Sequence, residues 1–240
     1  MFFLYQIIIS LLLLISPVIL FFRILKNKED KKRFKEKFSF ISKKRLNGNL
    51  LWFHGASVGE LMSIVPLIRY YEKKKSIKQI LVTSSTLSSS KIIKKFKFKK
   101  TIHQFYPIDY FLFTKKFLDF WKPDLAIFIE SEIWPCMFKN LKNKNIPLIL
   151  LNARLTEKTF KKWIKIKNFS KSIFNKILIA YPQNNETKLY LKKLNIKKVN
   201  LIGNLKFIEN SEEHLFHMND QLEAELKKKK IWVASSTHAQ

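Results

Sequence analysis

The sequence predicts an α/β fold, a parallel sheet flanked by helices and entered through one long apolar amino-terminal helix. Three observations carry this. From Leu50 onward, short apolar runs alternate with longer amphipathic ones, the pattern of a parallel sheet covered by helices. Residues Met1 to Phe22 form an almost uninterrupted apolar run, broken only by Gln6, Ser10, Ser16 and Pro17. The 240 residues are 47% hydrophobic, which is ample for a core and argues against disorder.

The apolar run comes first. At about 1.5 Å per residue it can cross a bilayer core of roughly 30 Å. No positive charge precedes it and no small-residue cleavage point follows, so an uncleaved anchor is expected rather than a secretory signal. A buried helix of a soluble protein would not need to be apolar on every face. The next stretch carries Arg23, Lys26, Lys28, Lys31, Lys32, Arg33, Lys35 and Lys37. By the positive-inside rule this collar places the body in the cytoplasm, and it would also attract anionic head groups.

Strands are expected at Leu50–His54, Gln79–Ser84, Thr101–Tyr106, Leu125–Glu130, Leu148–Asn152, Lys176–Tyr181 and Val199–Ile202, with helices between them. Pro66 removes a backbone donor from the helix after Glu60 and should kink or split it. Pro135 falls near a first helical turn, where proline is tolerated. Glu209–Asp220 is polar and acidic and reads as a linker, followed by a helix to Lys230 and a strand at Ile231–Ser235 that begins a second domain. The expected organisation is therefore an anchor over 1–22, a basic juxtamembrane segment over 23–49, an α/β domain over 50–208, and over 209–240 a linker with the start of a truncated domain.

Lys and Arg number 46 against 18 Asp and Glu, a formal charge of +28. Such a balance suits acidic partners, whether phospholipid, phosphorylated glycolipid or nucleic acid. The excess is nearly all Lys in a chain also rich in Ile, Asn and Phe, which A/T-biased codon usage alone would produce. Nucleic-acid binding rests on charge only, without a reading motif, and is not expected. The single Cys136 excludes an internal disulfide and fits a reducing compartment. His54, His103, His214, His217 and His238 are scattered without metal-ligand spacing, so no metal is expected.

Candidate chemistry gathers at strand ends. His54-Gly-Ala-Ser-Val-Gly-Glu60 follows one strand and opens a helix at the carboxyl edge of the sheet, where open α/β folds bind ligands. Glu60 is there a plausible general base for a sugar hydroxyl, and alternatively a helix cap. In Glu130-Ser-Glu-Ile-Trp-Pro135 one carboxylate should face the cleft while the other caps the following helix. Arg154, in Asn152-Ala-Arg-Leu-Thr156, could grip a phosphate or carboxylate through two hydrogen bonds, or form a salt bridge. Lys206, in Gly203-Asn-Leu-Lys-Phe207, could face an interdomain cleft. Ser57, Gly59, Thr86, Ser88 and Asn204 complete the candidate substrate-binding set with Arg154.

The ordered set HGASVGE, FYPIDYFLFTKKFLDFWKPDLAIFIESEIWP, IPLILLNARLTEKTFKKW, GNLKF and WVASSTH resembles the Kdo transferases and extends over nearly everything from Leu50 to His238. The resemblance implies a glycosyltransferase-B architecture, with this chain supplying the Rossmann-like, acceptor-binding amino-terminal half and a second domain binding CMP-Kdo. It implies inverting transfer of Kdo to the lipid A precursor in lipopolysaccharide core biosynthesis at the bacterial inner membrane, without a cofactor. It also assigns Glu60 as base, and Glu130 and Lys206 to transition-state stabilisation. Two departures stand out. Leu87 and Ser89 occupy positions where the family carries Pro and Gly, and the chain stops as the donor domain should begin, so no turnover is expected of it alone. The competing expectation is a non-catalytic module that binds acidic glycolipid at the membrane surface.

Overall fold

A computed structural model of the protein describes residues 1–206. Helix α1 runs over Phe2–Leu25, and a short 3-10 turn follows at Phe34–Phe38. Then come β1 (Leu50–His54), α2 (Val58–Ser63), α3 (Val65–Glu72), β2 (Gln79–Ser84), α4 (Leu87–Lys95), β3 (Thr101–Phe105) and α5 (Phe111–Trp121). The remainder is β4 (Leu125–Ile129), α6 (Pro135–Asn143), β5 (Leu148–Ala153), α7 (Glu157–Lys165), α8 (Lys167–Phe174), β6 (Ile179–Pro182) and α9 (Asn185–Lys193). The expected linker from Glu209, the helix to Lys230 and the strand Ile231–Ser235 lie outside the described residues, as do His214, His217 and His238.

All six strands pair in parallel in the order β3-β2-β1-β4-β5-β6. The order reverses between β1 and β4, and ligands of such sheets bind in the crevice beyond the carboxyl ends at that point. Both faces are dry because strand side chains alternate. Leu50 and Trp52 of β1 enter one core with Phe117, Phe128 and Phe138, whereas Leu51 and Phe53 enter the other with Leu61, Ile64 and Ile68. Trp52 meets Phe117 at 5.0 Å and Phe128 edge-on at 5.1 Å between ring centroids.

Proline acts as expected. The helix after Glu60 breaks at Ile64, with Pro66 in the first turn of α3, and Pro135 opens α6. The seventh strand, at Val199–Ile202, does not form. Val199 makes an isolated bridge with Ala180 and Asn200 donates to its carbonyl, but Gly203 then turns the chain away with φ +83°. Strand β6 begins at Ile179 rather than Lys176, because Lys176 and Ile177 still donate to the carbonyls that close α8.

The basic segment is only partly a free collar. Buried Glu29 pairs with Arg23 at 2.9 Å and with Lys37 at 2.8 Å, and buried Glu36 takes the fork of Arg33 at 2.7 and 2.8 Å. Glu36 also accepts from the Phe105 amide of β3 at 2.7 Å, so this segment covers the edge of the sheet. Lys26, Lys28, Lys31, Lys32 and Lys35 remain exposed.

Asp109 is the polar junction of the domain. It accepts from the Cys136 and Met137 amides that open α6, at 2.9 and 2.8 Å, and from the Tyr5 hydroxyl of α1 at 2.7 Å. Burial pushes its carboxyl up to about 7, against the three donors that favour the ion. The folded state then holds the proton more tightly than the unfolded chain, so Asp109 contributes stability that is full below about pH 4 and is lost as pH rises through about 7. In detergent, the stability difference between wild type and Asp109→Asn should therefore move against the wild type between pH 4.5 and 7.5. A difference that stays constant across that range contradicts the assignment.

Candidate active site

Three loops meet beyond the carboxyl ends of β1, β4 and β5. After β1, Ser57 caps α2 by accepting from the Glu60 amide at 3.3 Å, and its hydroxyl donates to Glu60 Oε1 at 2.8 Å. Glu60 Oε2 accepts from the Ala56 amide at 2.8 Å. This is a variant of the capping box in which Glu60 reaches the Ser57 hydroxyl and the Ala56 amide rather than the amide of the cap itself, so the cap and base readings of Glu60 describe one side chain in one pose. Gly55 makes room for it, since a Cβ there would meet the Glu60 Cβ at 3.1 Å. Burial, chiefly, raises the Glu60 carboxyl above the usual glutamate range; the nearby charges of Glu132 and Glu130 add to this, while Ser57 and Ala56 oppose it. A carboxylate so placed is a better proton acceptor than an ordinary glutamate.

After β4, Glu130 is buried and adopts left-handed backbone, φ 55°. Such a conformation costs a non-glycine residue of the order of 1–3 kcal/mol and is held by the surroundings. Here its amide donates to the Leu151 carbonyl at 3.0 Å. Lys206 Nζ lies 2.8 Å from Glu130 Oε1, at ion-pair distance but outside hydrogen-bond angles. The same ammonium is 4.0 Å from where a Gly59 Cβ would stand, at ordinary contact distance, so Lys206 lies directly beside the start of α2.

The position of Lys206 is set from β5. Asn152, itself left-handed at φ 51°, accepts from the Leu205 amide at 3.1 Å through Oδ1, and Asn204 Oδ1 accepts from the Lys206 amide at 3.0 Å. Glu60, Glu130, Gly59 and Lys206, drawn from three separate motifs, are thereby brought together. Thr86 caps α4, and its hydroxyl meets Ser89 Oγ at 2.6 Å. Buried Ser89 in turn donates to the Ala56 carbonyl at 3.3 Å, tying this loop to the Glu60 loop. Leu87 is the first residue of α4, a position that proline fits but does not need to fill. Ser88 and Arg154 are exposed, and neither side chain has a hydrogen bond or ion pair with another described residue.

The expected division of labour between Glu130 and Glu132 is corrected in one respect. Neither caps α6; Asp109, from the loop after β3, does. Glu132 instead accepts from Trp134 Nε1 at 2.8 Å and meets His54 Nε2 at 3.1 Å. Burial pushes its carboxyl up, but the bond and charge of His54, with the Trp134 bond, outweigh this and hold it below the usual range. His54 is buried between Thr83 and this carboxylate, and its ring stacks on Tyr106 at 3.8 Å. The pairing of His54 with Glu132 is not an expectation of the sequence, although each residue sits inside a motif that was singled out.

The family model described as 3-Deoxy-D-manno-octulosonic-acid transferase (kdotransferase) matches residues 32–209. A 3-deoxy-D-manno-octulosonic acid transferase of Rickettsia bellii is 39% identical over 239 residues, covering 98% of this chain and 56% of the relative. The protein of the same name from Haemophilus influenzae is 31% identical over 242 residues, covering 95% and 55%. The chain thus spans about half the length of these curated relatives. Among solved structures, UDP-GlcNAc 2-epimerase from Neisseria meningitidis bound to UDP-GlcNAc superposes with a TM-score of 0.50 at 13% identity, covering 76% of this chain and 55% of that one. At that identity the likeness is one of fold alone.

Proposed function

Because this chain belongs to the Kdo transferase family, a family of glycosyltransferases, we propose that it is the acceptor-binding half of an enzyme that moves Kdo from CMP-Kdo to the lipid A precursor. The acceptor hydroxyl attacks the anomeric carbon of Kdo as the bond to the CMP phosphate oxygen breaks. CMP leaves with the bonding pair, and Glu60 takes the hydroxyl proton. One base and charge stabilisation suffice for such an inverting step. Transfer then requires a donor-binding half together with the residues described here. Ser57, Gly59, Thr86, Ser88, Arg154 and Asn204 are the residues proposed to contact substrate. Of these, Arg154 is the exposed guanidinium able to take a phosphate or carboxylate.

The observation that carries this reading is the contact between Glu130 and Lys206 beside the Glu60 loop. A base, a cation and a carboxylate that orients the cation meet at the switch point of the sheet. Lys206→Ala, in the chain joined to a donor-binding half, should slow single-turnover Kdo transfer about 10²- to 10³-fold, the loss typical of one charge-stabilising donor. The shape of its pH profile should survive, since the base remains. A wild-type rate for Lys206→Ala removes Lys206 from the mechanism.

The membrane placement proposed with this function is the bacterial inner membrane, with the body on the cytoplasmic side. Attachment is through α1 and the exposed lysines that follow it.

A further inference from the structure

Helix α1 is 24 residues long and apolar enough to cross a membrane. Yet both of its ends are held by the body. At the amino end, Phe2 and Tyr5 pack against the large core, Tyr5 bonds to Asp109, and Lys139 of α6 lies 4.1 Å over the Phe2 ring. In the middle, Ile9 shares a 230 Å³ cavity with Ser85, Tyr106 and Trp134, residues of the loops beyond β2, β3 and β4. At the carboxyl end, Leu20 is buried and Arg23 pairs with Glu29.

The sequence of α1 obeys this placement. Phe2, Tyr5, Gln6, Ile9, Ser10, Leu13, Ser16, Leu20, Arg23 and Ile24 are the residues withdrawn from solvent, at helical spacing along the whole length. That stripe holds every polar side chain of the helix. The exposed remainder, from Phe3 to Leu25, is entirely apolar. A helix surrounded by lipid has no reason to gather its polar groups on one stripe, whereas a helix with one side on protein and the other in lipid does.

We propose that α1 lies lengthwise in one leaflet of an anionic bilayer, with its polar stripe on the body and its apolar face among the acyl chains. Crossing is incompatible with the contacts above. Leu4 and Leu25 are about 32 Å apart along the helix, close to the thickness of the hydrocarbon core, so a crossing helix would carry Tyr5 away from Asp109 to the far side. The lipid surface, rather than a second copy of the chain, is favoured by charge. The helix is followed directly by exposed Lys26, Lys28, Lys31, Lys32 and Lys35, which suit anionic head groups at the rim of an embedded face. A groove of 540 Å³ between α1 and the start of α5 is lined by the apolar Phe3, Ile7, Leu11, Leu14 and Leu112, with Gln6 and Ser10 of the stripe on its α1 wall. On the functional reading above, α1 would hold the loops around the site at the depth of a lipid-borne hydroxyl. The placement itself rests only on membrane association.

The test measures depth and not activity. Leu4, Leu11, Val18 and Leu25 recur every seven residues on the exposed face, with exposures of 50%, 57%, 55% and 60%. In the full chain with Cys136→Ala, each is replaced singly by Cys, spin-labelled, and measured in vesicles of phosphatidylglycerol and phosphatidylethanolamine against lipid-soluble and water-soluble relaxers. An in-plane helix gives four depths within about 5 Å of one another, shallow in the acyl region. Overturning results are Leu4 and Leu25 at opposite surfaces with Leu11 and Val18 deepest, four labels exposed to water, or four labels shielded from both relaxers by a second copy. Absence of Kdo transfer by the unlabelled chain joined to a donor-binding half, with the four depths still equal, would fault the functional reading and leave this one standing.

Discussion

Glu60→Gln, in the chain joined to a donor-binding half, is expected to reduce single-turnover Kdo transfer about 10²- to 10⁴-fold, or about 3–5 kcal/mol of barrier. The substitution isolates the charge. A glutamine can still accept from the Ala56 amide and donate to Ser57, and capping boxes use either residue, so α2 should keep its start and the domain its stability. Acceptor retention on membranes should change little for the same reason. The pH profile adds an independent reading. Because burial, with Glu132 and Glu130, raises the Glu60 carboxyl, the acid limb of wild-type transfer should sit above the usual glutamate range, and it should vanish from the residual activity of Glu60→Gln. Transfer by Glu60→Gln at near the wild-type rate would leave the capping box as the whole role of this residue.

Much of the fold was legible because its cause is local. Alternating apolar runs place six strands, and Pro66 and Pro135 mark a helix break and a helix start through chemistry confined to one residue. The seventh strand failed because Gly203 and the Asn152 side chain draw the chain out of the sheet, a tertiary pull that the apolar run Val199–Ile202 does not record. At the site, motifs at strand ends located Glu60, Glu130 and Lys206. They did not reveal that Asp109 rather than a local glutamate caps α6, since that bond spans 27 residues. The pairing of His54 with Glu132 was missed likewise, although a histidine ending a buried strand needs a partner and the unassigned carboxylate of the second motif was available. In α1, hydropathy alone read the helix as apolar on all sides. The stripe of Gln6, Ser10, Ser16 and Arg23 acquires meaning only beside the surface it faces.

Arg33→Met should destabilise the domain by about 3–5 kcal/mol, which at this size corresponds to a fall of about 6–20 °C in Tm. The reason is what the substitution leaves behind. Glu36 is 1% exposed, and without the guanidinium its charge stays buried with only the Phe105 amide and the Ser42 hydroxyl as donors. Arg33 also donates to Ser90 at 3.2 Å and to the His103 carbonyl at 2.8 Å, so the segment after α1 would come loose from β3 and α4 together. In the wild type His103 supplies no cation beside Glu36. Burial first, then the charges of Arg33, Lys94 and Lys43, push its imidazole down to about 3. The double variant Arg33→Met with Glu36→Leu should be less damaged than Arg33→Met alone. It removes the stranded charge and leaves an unpaired edge amide at Phe105, worth about 1–3 kcal/mol. Thermal unfolding of the three proteins in detergent orders them wild type, double variant, Arg33→Met. A double variant below Arg33→Met would mean that Glu36 stabilises this edge without its partner, and that the ion pair is not what joins the juxtamembrane segment to the sheet.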